Sequence, residues 1–241
     1  MRLAPLPRRT AAPGAVLDLC VLAAGSPELV GVDCASGAFV RCPGAAGPWA
    51  PFDVVRVPLA AGEPWWSPHA PEAVEPQGGG VRRVGRLPAR QAERLLRPLL
   101  DPPGEHLLGF PGPAVPFWTL DGNRPSLALV TPEAGPVLRP AGPGRRGYRC
   151  LFRWQGRDHD LPLADVRLAR LLDDGRWRAA GTALASLLGF RPGRVVVGLS
   201  PPRRGYCYKV AFGLLPGAAR RYLPWARAAR SSAMAQPKAM R

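Results

Sequence analysis

The sequence predicts a mainly β protein made of two small barrel-like units in tandem, joined by a short helical connector. Three observations carry this reading. The 241 residues include 31 prolines and 28 glycines, so helices and strands must be short and often interrupted. Short runs that alternate apolar and polar residues recur through residues 15–86 and again through 125–216, with turn residues between them. Between these stretches, Pro88–Leu100 carries helical periodicity.

The first unit follows a loose leader over residues 1–14. Its strands are expected at Val16–Ala23, Leu29–Asp33, Ala38–Arg41 and Asp53–Leu59. Residues 60–86 are harder to read: Trp65 and Trp66 stand in a Pro-rich loop, and Gly78–Gly80 marks a break. In the connector, residues 87–124, Pro88 suits a first helical turn, Leu95, Leu96, Leu99 and Leu100 make an apolar face, and Arg90, Arg94 and Arg97 form a basic stripe expected to be solvated. Pro98 should end or kink that helix. The second unit, residues 125–216, has strands at Ser126–Thr131 and Val137–Arg139, then a hairpin of Tyr148–Trp154 with His159–Val166 around Gln155, Gly156, Arg157 and Asp158. Asp165–Leu172 reads as one or two helical turns, and Gly181–Phe190 as either helix or apolar loop. Strands Val195–Leu199 and Tyr206–Leu215 close the unit, and residues 217–241 form a basic, mobile tail. The strand count per unit is close to that of an OB-fold. Periodicity alone does not separate this from an SH3-like barrel or one larger β fold.

The formal net charge is +16, almost all of it from arginine, since Lys209 and Lys238 are the only lysines. Residues 1–120 hold 11 arginines and 10 acidic residues, whereas residues 121–241 hold 20 arginines, 2 lysines and 7 acidic residues. That asymmetry points to a polyanionic partner for the second half. A GC-rich genome would inflate arginine everywhere but would not divide it this way. The cysteines, Cys20, Cys34, Cys42, Cys150 and Cys207, are odd in number and lack paired C-x-x-C spacing. They read as buried thiols in a reducing compartment, not as zinc ligands or a disulfide framework. Arg8 and Arg9 before an apolar stretch superficially look like a twin-arginine export signal, but Pro13 and Asp18 interrupt it. No run reaches the length of a membrane span. A cytoplasmic protein without membrane contact is the expectation.

The most distinctive stretch is RVVVGLSPPRRGYCYKVAFGLLP, residues 194–216. Its second strand opens with Tyr206, Tyr208 and Lys209, after a turn carrying Pro201, Pro202, Arg203, Arg204 and Gly205. With Leu199, Ser200 and the GYCYK run Gly205–Lys209, this ending resembles that of the prokaryotic dual OB-containing domain family. The hairpin YRCLFRWQGRDHDLPLADV, the opening LDLCVLAAGSPELVGVDCASGAFVRC, and DVVRVPL followed by Pro68 and His69 are also similar to that family. The chain departs from it at Pro201–Arg204, where the family carries an acidic residue, and at Ala24–Pro27, which lacks the expected basic and polar residues. The resemblance implies two OB-like barrels in tandem and a nucleic-acid-centred role, including bacterial conflict or defence systems.

The expected function is non-catalytic binding of nucleic acid, single strands favoured, through the basic second barrel. Tyr206 and Tyr208 would stack bases, and Lys209, Arg203 and Arg204 would meet phosphates. Arg145, Arg146, Arg149, Arg153 and Arg157 surround the hairpin, and the face bearing Arg149 and Arg153 ranks slightly ahead of the GYCYK strand as a contact. Asp158, His159 and Asp160 invite a metal or general-base reading, but adjacent strand residues cannot all point one way. No phosphate-binding loop or nucleophile elbow is present, so neither catalysis nor a cofactor is expected. The competing expectation is a protein–protein interaction module of a defence or regulatory operon, docking a partner encoded nearby through an apolar patch around Trp65 and Trp66.

Overall fold

A computed structural model describes residues 12–24, 28–45, 47–62, 67–142, 147–172 and 179–217. Most of the expected leader, the Trp65–Trp66 loop, Arg145, Arg146 and the tail after 217 lie outside them. The first five strands are β1 (Val16–Ala24), β2 (Glu28–Asp33), β3 (Phe39–Pro43), β4 (Asp53–Pro58) and β5 (Arg82–Arg86). Helix α1 (Ala89–Leu96) follows. Then come β6 (Ala114–Pro116), β7 (Leu127–Val130), β8 (Val137–Pro140), β9 (Tyr148–Trp154) and β10 (Arg157–Pro162). Helices α2 (Val166–Leu172) and α3 (Gly181–Leu188) precede β11 (Pro192–Leu199) and β12 (Tyr206–Pro216). The fold is mainly β, with curled antiparallel sheets forming a half-barrel.

Strands β1–β5 make one sheet in the order β3-β2-β1-β4-β5. β1 is central and apolar on both sides. Leu17, Leu19 and Val21 face one core, and Cys20 and Leu22 face another. A bulge between Val21 and Ala23 breaks the alternation, so Ala23 joins Leu22 on the same side. The other two sheets run β6-β12-β11-β7 and β10-β9-β8.

The four-stranded sheet is the middle layer, and its parity decides which core each residue enters. Ala128, Val130, Val195, Val197, Leu199, Cys207, Ala211 and Leu214 pack with the β8–β10 side chains Leu138, Cys150, Phe152, Trp154 and Leu161. Leu127, Leu129, Val196, Phe212 and Leu215 pack instead with Cys20, Leu22, Val30, Val32 and Phe39 of the first sheet. Each fully buried aliphatic side chain contributes about 1.5–3 kcal/mol. The two β-rich stretches therefore share a core. Gly213 permits this approach, because a Cβ there would stand 2.9 Å from the Ala23 Cβ.

Helix α1 ends earlier than Pro88–Leu100. A 3-10 turn over Arg97–Leu99 takes over where Pro98 removes a donor. Ala92, Leu96 and Leu99 are its buried residues, while Leu95 and Leu100 are only partly covered. The β9–β10 hairpin is tighter than expected. Gln155 and Gly156 have φ of 48° and 69°, a two-residue turn of the primed type, and Arg157 already pairs with Trp154. As a result β10 begins at Arg157 and stops at Pro162. The open reading of residues 181–190 resolves to α3, closed by Gly189 in the left-handed region at φ 72°.

A polar cluster centred on one guanidinium sits among these layers. Arg41, on β3, is 1% exposed. Its Nε donates to Glu28 Oε1 and its Nη2 to Glu28 Oε2 at 2.8 Å. Its Nη1 donates to Ser126 Oγ at 2.9 Å and to the Leu199 carbonyl at 3.0 Å, and the guanidinium lies 5.2 Å from the Phe212 ring centroid. Ser126 in turn donates its Oγ–H and its backbone N–H to Glu72, each at 2.6 Å. Burial pushes the Glu72 carboxyl above the usual range, partly offset by those bonds. Removing one partner of a buried ion pair strands the other. Arg41→Met is therefore expected to lower unfolding free energy by about 3–5 kcal/mol, and Arg41→Met/Glu28→Leu to recover part of it. Urea unfolding with an unchanged midpoint for Arg41→Met would refute this role.

Candidate nucleic-acid interface

The β11–β12 hairpin ends in a tight turn. Arg203 and Tyr206 exchange backbone hydrogen bonds of 2.8 and 3.1 Å, and Arg204 and Gly205 between them have φ of 52° and 81°. As a directly opposed pair, Arg203 and Tyr206 project to the same side. Tyr208, two residues on, shares that face about 6.8 Å further along the strand. Tyr206 and Tyr208 are 41% and 39% exposed, so both rings stand outside the core.

The connector supplies a third ring. β6 pairs with β12, Ala114 opposite Tyr208 and Pro116 opposite Tyr206. The 3-10 turn Phe117–Thr119 then carries Trp118 across the hairpin tip. The Phe117 N–H donates to the Gly205 carbonyl at 2.8 Å. The indole lies against Gly205, where a Cβ would approach Trp118 Cζ3 to 2.9 Å. Trp118 meets Tyr206 edge to face at 5.6 Å between centroids, and at 69% exposure it is the most open large hydrophobic residue described. Arg203 and Arg204 are exposed beside it, and no ion pair is found for either among the described residues. Trp118 falls within residues 87–124, which the sequence assigns to the connector. Its one signal was an aromatic residue next to a proline-bounded tripeptide, and nothing local says which strand that tripeptide joins.

Lys209 corrects the expectation for the GYCYK strand. Cys207 and Lys209 occupy the inward face, and Lys209 is 3% exposed, so it presents no charge to a phosphate. Its Nζ donates to the Phe110 carbonyl. Burial brings its pKa down to about 8.

The β9–β10 arginines are placed as expected but engaged. Tyr148, Cys150, Phe152 and Trp154 face the core. Arg149 donates from Nε to Asp160 Oδ1 and from Nη2 to the Asp160 carbonyl, each at 2.6 Å, and Arg139 reaches Asp160 Oδ2 at 2.7 Å. Burial works to raise the Asp160 pKa, but bonds from both arginines hold it below the usual carboxylate range. Arg153 pairs with Glu133 at 3.2 Å. Arg157 is exposed, with no ion pair found among the described residues. Arg145 and Arg146 lie outside the described residues. Among the described residues the hairpin tip therefore offers cations without an ion pair, whereas the sheet face is largely neutralised.

Other candidates are structural. His159 stacks on Phe152 at 5.1 Å, and its pKa is lowered by burial and by the nearby Lys209 charge. His69 is buried against Ser67. Among the described residues no group of three or more His, Cys, Asp or Glu could hold a metal, and no helix is long and apolar enough to cross a membrane. The cysteines are free thiols, with Cys20, Cys42 and Cys150 pushed up to about 12 by burial. Comparisons with protein families, with curated proteins and with solved structures find no match for this chain.

The lowered Lys209 pKa fixes the sign of a pH effect. Between about 8 and the ordinary 10.5, the unfolded chain holds a proton that the folded chain has released. Stability from this group therefore rises with pH across that window. Relative to Lys209→Met, the parent should gain up to about 3 kcal/mol from the bottom of the window to the top. Unfolding curves taken across it, with a constant difference between the two proteins, would contradict the buried assignment.

Proposed function

We propose that this protein is a non-catalytic nucleic-acid-binding protein, and that its contact site is the tip of the β11–β12 hairpin. The carrying observation is the exposed Trp118–Tyr206 pair with Tyr208 alongside and, at the rim, exposed Arg203 and Arg204, which have no ion pair among the described residues. Exposed aromatic rings gathered on one face are a common mark of an interaction site. Flat rings accept any unstacked base, and guanidinium groups at the edge accept the backbone between bases. A duplex keeps its base faces stacked inside, so this chemistry favours single strands and little sequence preference.

Tandem OB-like barrels remain part of the proposal. The family resemblance supports it, and for the first barrel alone so does the strand order of the first sheet, in which β1 pairs with both β2 and β4 while β2 carries β3 and β4 carries β5. That is the order of a five-stranded Greek-key barrel opened along one seam. A role in a bacterial conflict or defence system rests on the resemblance alone.

Fluorescence anisotropy with labelled single-stranded DNA, single-stranded RNA and duplex at two salt concentrations tests the site. Trp118→Ala and Tyr206→Ala should each weaken single-strand binding by about 5- to 150-fold, the worth of one stacked base. Arg203→Gln/Arg204→Gln should flatten the salt dependence by about 1.4 on a log–log plot, at roughly 0.7 per phosphate contact. Absence of single-strand binding at low salt would defeat the proposal in favour of a protein-docking role.

A further inference from the structure

A second basic surface lies in the half of the chain whose overall charge is nearly balanced. Residues 82–97 carry six arginines and one glutamate. β5 is an outer strand of its sheet, and Arg82, Arg83, Arg86, Arg90, Arg94 and Arg97 are all exposed. They separate by partner. Arg83 and Arg86 lean on the buried Asp53 carboxylate at 3.1 and 3.6 Å. For Arg90, Arg94 and Arg97, no ion pair is found among the described residues, because the one acid of the helix, Glu93, turns inward to the buried Arg194.

This row works against its own helix. Arg90 and Arg94 are four residues apart and Arg94 and Arg97 three, spacings at which like charges repel. Arg90 also stands in the first turn, where the helix dipole disfavours a cation, and that turn has no acidic residue to compensate. Arg97 continues the helical backbone at φ −53° and ψ −42°, so the three side chains follow one face over about 10.5 Å. An external anion would relieve all three repulsions together.

We propose that α1 presents this row to the phosphate backbone of a nucleic-acid duplex, as a contact surface separate from the aromatic hairpin tip. The chemistry of the surface selects the occupant. Residues 81–100 contain no aromatic side chain with which to stack a base. The leucines of this segment are buried or partly covered and Val84 is its one exposed large hydrophobic residue, too little apolar surface to seat on a lipid face. Phosphates on one strand of a duplex advance about 3.4 Å along the helix axis per step, and long arginine side chains from a row of about 10.5 Å can reach about three of them. The inference builds on the nucleic-acid reading but uses different residues and a different form of the ligand.

The test uses the full chain and a fluorescein-labelled mixed-sequence DNA duplex, titrated across a range of salt. Arg90→Gln/Arg94→Gln/Arg97→Gln should reduce the slope of log affinity against log salt by about 2.7, at about 0.9 per phosphate contact. Its melting temperature should be unchanged or higher, because repulsion has been removed. Gln91→Lys, which adds a cation three residues before Arg94, should steepen the slope by about 0.9. A parent protein that does not bind duplex, or slopes unmoved by both variants, would overturn the proposal. So would competition by polyglutamate as effective as that by unlabelled duplex. If the slopes move as expected but Trp118→Ala leaves single-strand binding intact, the arginine row stands and the hairpin-tip reading falls.

Discussion

The guanidinium of Arg41 joins elements that are far apart in the chain. It sits on β3, yet its donors end on Glu28 of β2, on Ser126 at the entrance to β7, and on the Leu199 carbonyl where β11 ends. A buried cation of this kind is costly unless its N–H groups find acceptors and its charge finds a partner. Here the Glu28 carboxylate neutralises it, and the Phe212 ring covers one face. Those requirements can be met only when the first sheet, β7 and the end of β11 occupy one relative position. The apolar layers on either side of β11 and β12 supply attraction without direction, and Arg41 supplies the register.

The anchor bears on the proposed interface through Leu199. The loop from Ser200 to Gly205 leaves the sheet at that residue, and Tyr206 and Tyr208 return from it. The root of the hairpin loop is thus tied to the first sheet, while its tip is held by β6 and by Trp118 on Gly205. An aromatic platform benefits from such bracing, because rings already fixed in place lose little freedom when a base arrives. The half-barrel therefore does more than display these side chains: it holds them at one spacing.

Much of this architecture was legible in the sequence, and the gaps have physical causes. Alternation in Tyr148–Trp154 placed Tyr148, Cys150, Phe152 and Trp154 inside correctly, since parity follows from the pleat. Parity in Tyr206–Lys209 separated the tyrosines from Lys209 equally well, but it could not say which set was inside. A lysine buried by a carbonyl acceptor 99 residues away leaves no local trace. β5 was missed because three arginines and Gly85 leave it no apolar alternation, and β6 because three residues show no period of their own. The pairing of Arg149 with Asp160 follows from the register of the hairpin, which depended on placing the turn at Gln155 and Gly156.

Charge shows most plainly where a linear count misleads. The second half carries a large arginine excess, but Arg139, Arg149 and Arg153 within it are matched by Asp160 and Glu133. The first half is nearly neutral by count, but Glu28 is spent on Arg41, Asp18 on Arg56 and Glu93 on Arg194, a residue from the other half. Among the described residues that leaves Arg90 and Arg94 of α1, and Arg97 in the turn after it, without an ion pair. What a polyanion meets is the remainder of this internal pairing. Binding energy from phosphates comes from cations that lose water and counterions but no carboxylate when the ligand arrives. By that criterion the arginines of α1 and of the hairpin tip are ready for an external anion, and those of the β9 face are not, because a phosphate would first have to displace an aspartate or glutamate already held.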